Sequence, residues 1–345
     1  MIRYLGCAVG ALLALMPLAI EAKPFTDAAG RTVELPDHIG KVLAAGPPAS
    51  VLIYAIAPEK LAGWVREPKE DEKPYLMEAV RGLPTYGRLT GKGGTANIEA
   101  VLAAKPDVII DVGTVDATYA SLADKVQSQT GIPYVLIDGS FGKSAETLRS
   151  LGVMLGAEER AGKLADYADE TLSELGATMA AVPADKRPRV YYGRGPDGLE
   201  TGLAGSINLE ILEAAGAVNV AASSGKGSLT QVSPEQVLAW NPEVIIAASR
   251  KFASAVAADP VWSKVQAVEK GQVFIPPSLP FGWFDSPPGI NRLIGIRWLE
   301  ALLYGDIYKG DLKAEAREFY KLFYQVDLDD AELATLLKGA LPEAQ

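Results

Sequence analysis

The phrase NIEAVLAAKPDVII, Asn97 to Ile110, returns 136 positions later as SPEQVLAWNPEVII, Ser233 to Ile246, with eight of fourteen positions identical. Glu99 falls on Glu235, Pro106 on Pro242, and both copies close on Val-Ile-Ile. In each, a helix-compatible run leads through proline into a short apolar run of strand type. The spacing is far longer than the roughly 20–50 residues of solenoid and propeller repeats. It reads instead as one copy in each lobe of a two-lobed chain.

Outward from the two copies, strand and helix signals alternate. Lys41–Ala45 is a short apolar run, followed by helix-compatible SVLIYAIA and by KLAGW as the next strand. The first copy is followed by helix YASLADKVQSQTG and strand PYVLID. The second half repeats the rhythm with strand PRVYYG, helix SINLEILEAAG, the second copy, strand GQVFIP and terminal helices. Strands alternating with helices of about ten residues require βαβ units and parallel pairing. Between the halves, Ser144–Leu155 and Glu158–Val182 read as helices, the second rich in Ala, Leu, Glu and Lys and closed by Pro183. The second would span about 37 Å, long enough to bridge two lobes.

Composition limits what the lobes can do. With 345 residues and 48% hydrophobic content, the chain can supply two ordinary cores. A formal charge of −10 opposes attraction to nucleic acid or anionic lipid. Arg3, the apolar stretch Leu5–Ile20 and Ala22 match a secretory signal peptide, so the mature chain is expected from Lys23. Cys7, the single cysteine, falls inside that segment; the mature protein is expected to hold neither a disulfide nor a thiol nucleophile. No later apolar run approaches the roughly 18 residues that cross a bilayer. The expectation is an exported monomer, of the periplasm or the outer surface, with no membrane insertion after signal cleavage, whose partners are proteins and small molecules.

The paired glutamates have a local explanation. Ser233 reads as an N-cap, Pro234 as the first helical residue and Gln236 as the closing member of a capping box, while Asn97 caps the first copy. A carboxylate in a first turn is favoured by the helix dipole by roughly 0.3–1 kcal/mol. Matched positions in two lobes add a second meaning, because two carboxylates can then meet two cations on a two-fold partner and set its orientation.

FTDAAGRTVELP near the expected mature start, the two glutamate phrases, the helix Glu158–Val182 and GWFDSPPGINRLIGIRWLEALLYG from Gly282 together resemble one family. It is that of the periplasmic solute-binding proteins of iron-chelate and vitamin B12 import systems, and the resemblance covers essentially the whole mature chain. It implies an α/β fold: two Rossmann-like lobes with mostly parallel sheets, joined by a single long helix, with a ligand cleft between them. The divisions expected are a signal peptide at 1–22, a first lobe at 23–143, connecting helices at 144–183 and a second lobe at 184–345. It further implies that Glu99 and Glu235 dock arginines of a dimeric inner-membrane ABC permease served by its ATPase.

Ligands of open α/β sheets sit beyond the carboxyl ends of strands, and the segments there carry arginines and aromatics. Arg88, Arg194 and Arg250 with Tyr119, Tyr192 and Trp283 would make an anion-attracting, aromatic-walled site. The resemblance adds weight to Arg88, at a ligand-contacting arginine of hydroxamate-siderophore binders, and to Trp283, at an aromatic cleft position. Of the adjacent Tyr191 and Tyr192, strand alternation lets only one face the cleft. The leading expectation is capture of an iron(III) chelate of siderophore type, with no resident cofactor. The alternatives are an oxyanion such as molybdate or tungstate, cobalamin, or haem.

Other chemistries lack their residues. His38 is the sole histidine, so a bare zinc or manganese site is without its imidazole set, and a histidine-assisted hydrolase is disfavoured. No G-x-S-x-G elbow occurs. In GRLTGKGGT, Gly93 follows Lys92 where a phosphate loop requires Ser or Thr. Paired acids of a secreted glycoside hydrolase remain as the remote enzyme reading, against the expectation of a non-enzymatic binder.

Overall fold

A computed structural model describes residues 22–90 and 94–342. The expected signal segment, apart from Ala22, lies outside the described residues. Strands β1 (Ala22–Thr26) and β2 (Thr32–Pro36) pair as an antiparallel hairpin. Strands β3 (Val42–Ala44), β4 (Val108–Gly113) and β5 (Tyr134–Asp138) form a parallel sheet in that order. Four later strands, β6 (Arg189–Gly193), β8 (Val218–Asn219), β10 (Val244–Ala247) and β11 (Val273–Phe274), form a second parallel sheet in the order β11-β10-β6-β8. A short antiparallel pair, β7 (Glu200–Gly202) and β9 (Leu229–Gln231), accompanies it.

The helices of the first half are α1 (Pro47–Ile56), α2 (Glu78–Arg81), α3 (Ile98–Ala104), α4 (Ala117–Thr130) and α5 (Ser144–Leu155). After the long α6 (Glu158–Ala181) come α7 (Glu210–Ala214), α8 (Pro234–Trp240), α9 (Arg250–Ala255), α10 (Gln266–Glu269), α11 (Arg292–Leu303), α12 (Leu312–Phe319) and α13 (Asp330–Leu336). The chain is therefore α/β with two parallel sheets drawn from either side of one long helix. Alanine, leucine and glutamate favour α6 along its length, and it stops where Pro183 forces Val182 into an extended conformation. Ala161, Leu164, Ala165, Ala168, Thr171 and Leu175 form its buried stripe, at the three- and four-residue spacing of a one-sided helix. At Gly152 of α5 an added Cβ would lie 2.3 Å from that of Ala161, so the two helices approach through a missing side chain.

The two repeated phrases fold alike. Both α3 and α8 are seven-residue helices, capped by Asn97 and Ser233 and ended by left-handed Lys105 (φ 49°) and Asn241 (φ 44°). The acid after each proline then ties its strand to a neighbour. Asp107 accepts from the Gly40 and Lys41 amides at 2.8 and 2.7 Å, and Glu243 from the Arg189 amide at 2.8 Å. Val101 and Val237, fully buried, anchor the two helices against their sheets. Alternation does the rest: Ile109 and Ile245 face outer cores under these helices, while Ile110 and Ile246 join a shared inner core containing α1, α6 and α11.

Three local expectations are corrected. KLAGW makes isolated bridges, Leu61 with Val42 and Trp64 with Thr85, rather than a strand. SINLEILEAAG is helical only from Glu210 to Ala214, because Asn208 turns its amide toward Asp285. Ser233 does cap the Gln236 amide at 3.2 Å, but the Gln236 side chain reaches Ser224 instead of closing a capping box.

Arg292 links the halves across the inner core. It is 1% exposed, and its guanidinium donates to the Gly139 carbonyl at 2.6 Å and to Glu210 at 2.9 Å. Glu210 in turn accepts from the Phe141 amide at 2.9 Å.

Candidate ligand-binding cleft

A cavity of about 750 Å³ lies between the halves. Its lining includes Gly46–Pro48 after β3, Asp111–Val115 at the end of β4 and beyond, Leu136 and Ile137 of β5, Arg194 after β6, and Asp285–Pro288. These are strand-end segments, where open parallel sheets leave room for ligands. Trp64, Val65, Leu76 and Phe281 give much of the remaining wall an apolar character.

On the first side Asp111 is the buried acid. The Tyr134 hydroxyl donates to it at 3.1 Å and the Thr90 hydroxyl at 3.2 Å. Loss of solvation raises its pKa above the usual carboxylate range, although both hydroxyls and the Val112 amide pull the other way. The Tyr134 phenol is pushed far up by burial and by the Asp111 charge. Tyr119, half-buried, is raised by burial and then by the charges of Asp111 and Asp116.

Asp285 is the counterpart on the second side. It accepts from the Tyr192 hydroxyl at 2.9 Å, from Arg194 Nε at 2.6 Å and from the Asn208 amide. Burial still raises its carboxyl, outweighing Arg194. Arg194 also holds Glu200 at 2.7 Å. Burial pulls the arginine down, but Asp285, Tyr192 and Glu200 together raise it. A further lining pair, Arg66 with Glu72, has two parallel contacts of 2.7 Å each. Among the described residues the lining carries Arg66, Arg88 and Arg194 against Glu72, Asp111, Glu200 and Asp285. Such a wall offers matched donors and acceptors rather than a strong positive field.

The predicted residues divide. Arg88, Tyr119 and Arg194 line the cavity. Tyr192 does not; it is 1% exposed and stands behind Asp285, which it orients. Tyr191 faces the outer core, where its hydroxyl donates to the Gly198 carbonyl at 2.7 Å. Trp283 is a core residue, 0% exposed, with its indole donating to the Tyr320 hydroxyl at 3.1 Å. Its ring is withdrawn from the cleft because Trp283 and Phe284 pack into the inner core against α11, while Asp285 next to them reaches the lining. Arg250, the solvent-exposed first residue of α9 after the Ser249 cap, is also absent from the lining, its place on the outer face keeping it from the cavity. Glu99 and Glu235 are both exposed, each the second residue of its helix.

Sequence reasoning missed Asp111, Thr90, Asp285 and Asn208. The available signal was an acid closing an apolar strand, in DVIID, and the acid two residues after Trp283 in GWFD. Among the described residues no group of three or more His, Cys, Asp or Glu side chains is placed to hold a metal ion, and no helix is long and apolar enough to cross a membrane.

Known proteins match this arrangement. Residues 58–279 fit the family described as periplasmic binding protein. The molybdate-binding protein MolA of Haemophilus influenzae is 30% identical over 89% of the chain and 92% of its own length. Its molybdate-bound structure superimposes with a TM-score of 0.74 and 26% identity, over 89% of this chain and 99% of that one. A vitamin B12-binding protein of Salmonella choleraesuis is 27% identical over 72% of this chain and 82% of its own. An ABC transporter solute-binding protein from Sulfurospirillum deleyianum superimposes with a TM-score of 0.82 and 32% identity, over 91% and 99% of the two chains.

Proposed function

Since this chain belongs to the periplasmic binding protein family and is a solute-binding protein of an ABC importer, we propose that its cargo is an organic iron(III) chelate of siderophore type. The family is non-enzymatic, and the role is capture and delivery. The observation that carries the chelate reading is the cleft itself. A volume of about 750 Å³, apolar walls and two arginines, Arg66 and Arg194, already held by carboxylates suit a ligand of drug size and low net charge. A bare tetrahedral oxyanion would fill a small part of it, and Arg194 and Arg66 are each engaged by carboxylates.

The second reading, molybdate or a similar oxyanion, is favoured by the 30% identity to MolA along most of both chains. Arg88 lines the cleft in either case. Export through an N-terminal signal and docking on a two-fold permease through Glu99 and Glu235 complete the proposal. Both glutamates are exposed at equivalent helix starts, as such docking needs.

The deciding experiment is native mass spectrometry of the protein purified from its own periplasm, with elemental analysis of what co-purifies. Iron together with an organic mass is expected. Molybdenum or tungsten without an organic mass would replace the chelate by the oxyanion.

A further inference from the structure

One corner of the cleft has a polarity that the chelate reading does not use. Helix α1 starts at Gly46-Pro47-Pro48, all three lining the cavity, and Ser50 of the same helix lines it too. Ser50 is 2% exposed and its hydroxyl has no hydrogen-bond partner. Thr90 and Asp111, each 6% exposed, line the same cavity and stand against Gly46, one helical turn before Ser50; a Cβ on Gly46 would lie 2.9 Å from the Thr90 hydroxyl and 3.7 Å from Asp111 Oδ1. Asp111 draws its side-chain hydrogen bonds from two neutral hydroxyls, and among the described residues it has no ion pair.

Helix starts usually attract anions through free N–H groups and the dipole. Here two prolines delete two of those donors, and the Ser50 amide is spent on the Gly46 carbonyl at 3.2 Å. The place an anion would take already borders a carboxylate. What remains is one first-turn amide, that of Ala49, a carboxylate without a counter-ion and a hydroxyl without a partner. A buried carboxylate left without a counter-ion is costly unless it takes up a proton, the direction in which burial already pushes Asp111, or a cation completes it.

We infer that the Ser50–Thr90–Asp111 corner receives a primary ammonium group of the ligand, with Asp111 as its counter-ion and the two hydroxyls as acceptors. The inference rests on the chelate reading and narrows it to chelates with a cationic arm. Three N–H donors of an ammonium match one carboxylate and two hydroxyl oxygens. The rest of the ligand then extends toward Arg88 and the apolar wall.

The test is calorimetric titration of the full mature chain with two probes: the ferric complex of a linear trihydroxamate ending in a primary amine, and the same complex after N-acetylation. Sodium molybdate is the third titrant. The amine complex is expected to bind at least about tenfold tighter than the acetylated one, the range of a charged hydrogen bond. Asp111→Asn should bring the two within about twofold of each other. Should that variant not fold, Ser50→Ala reads the same corner by weakening the amine complex and sparing the acetylated one. Equal binding of the two ferric complexes by the unaltered protein overturns the ammonium site and leaves the chelate reading intact. Binding of neither, with or without molybdate binding, overturns both.

Discussion

Trp283 and Asp111 show how a single side chain's surroundings fix its role. Both lie on segments that end near the cleft, yet the tryptophan turns into the inner core and the aspartate into the cavity lining. Trp283→Ala is therefore expected to cost about 3–5 kcal/mol in denaturant unfolding, the range for emptying an aromatic core site, with ligand affinity of the folded fraction changed less than about twofold. For Asp111 the prediction concerns pH. Burial raises its folded pKa above the unfolded value, so the folded state holds the proton more tightly and stability falls as pH rises through that interval, which begins near the ordinary carboxylate value of about 4. Asp111→Asn should remove this component. Thermal unfolding of both proteins between about pH 4 and 8 is expected to show the variant gaining on the unaltered protein as pH rises; parallel curves would contradict the shift.

At the scale of elements, hydrogen-bond and packing rules recur in matched pairs. The α3–β4 and α8–β10 units share cap, left-handed turn, proline and a tethering acid, because each must bring a short helix to a stop and start a strand within three residues. That much is readable locally. Packing between distant elements is not. Gly295 in the middle of α11 looks like a helix weakness, which Ala should relieve by about 1 kcal/mol. The structure reverses the sign, because an added Cβ would lie 1.8 Å from the Trp283 carbonyl oxygen. Gly295→Ala is expected to destabilise by about 3 kcal/mol, toward the upper end of overpacking effects, as measured by chemical denaturation. A gain in stability would show that the 283 loop gives way.

For the whole molecule, two sheets share an inner core with α6 and are pinned by Arg292, with the cavity of about 750 Å³ between them. The proposed cargo and docking sites lie on different surfaces: Asp111 and Asp285 border the cavity, while Glu99 and Glu235 stand exposed on outer helices. The double substitution Glu99→Lys with Glu235→Lys is expected to leave ligand affinity nearly unchanged and to abolish stimulation of the permease's ATPase in reconstituted vesicles. Equal loss of ligand binding would place the glutamates in the cleft and end the docking proposal.

The alternation of strands and helices through the two parallel sheets, the repeated unit and the long connecting helix were determined by the sequence itself, because caps, proline stops and apolar periods act within a few residues of each other; the antiparallel pairs β1–β2 and β7–β9 were not. Of the six residues expected at the cleft, Arg88, Tyr119 and Arg194 line the cavity; strand-end position pointed to all three, and the family resemblance added weight to Arg88. Which acids meet which hydroxyls was decided only by tertiary structure. Asp285 is joined to Tyr192 and Asn208 from 93 and 77 positions away, and Asp111 to Tyr134 from the neighbouring strand. The physical reason is range: a local pattern says which face of a strand is apolar, but the partner of a buried charge is fixed only when remote segments close over it and exclude water.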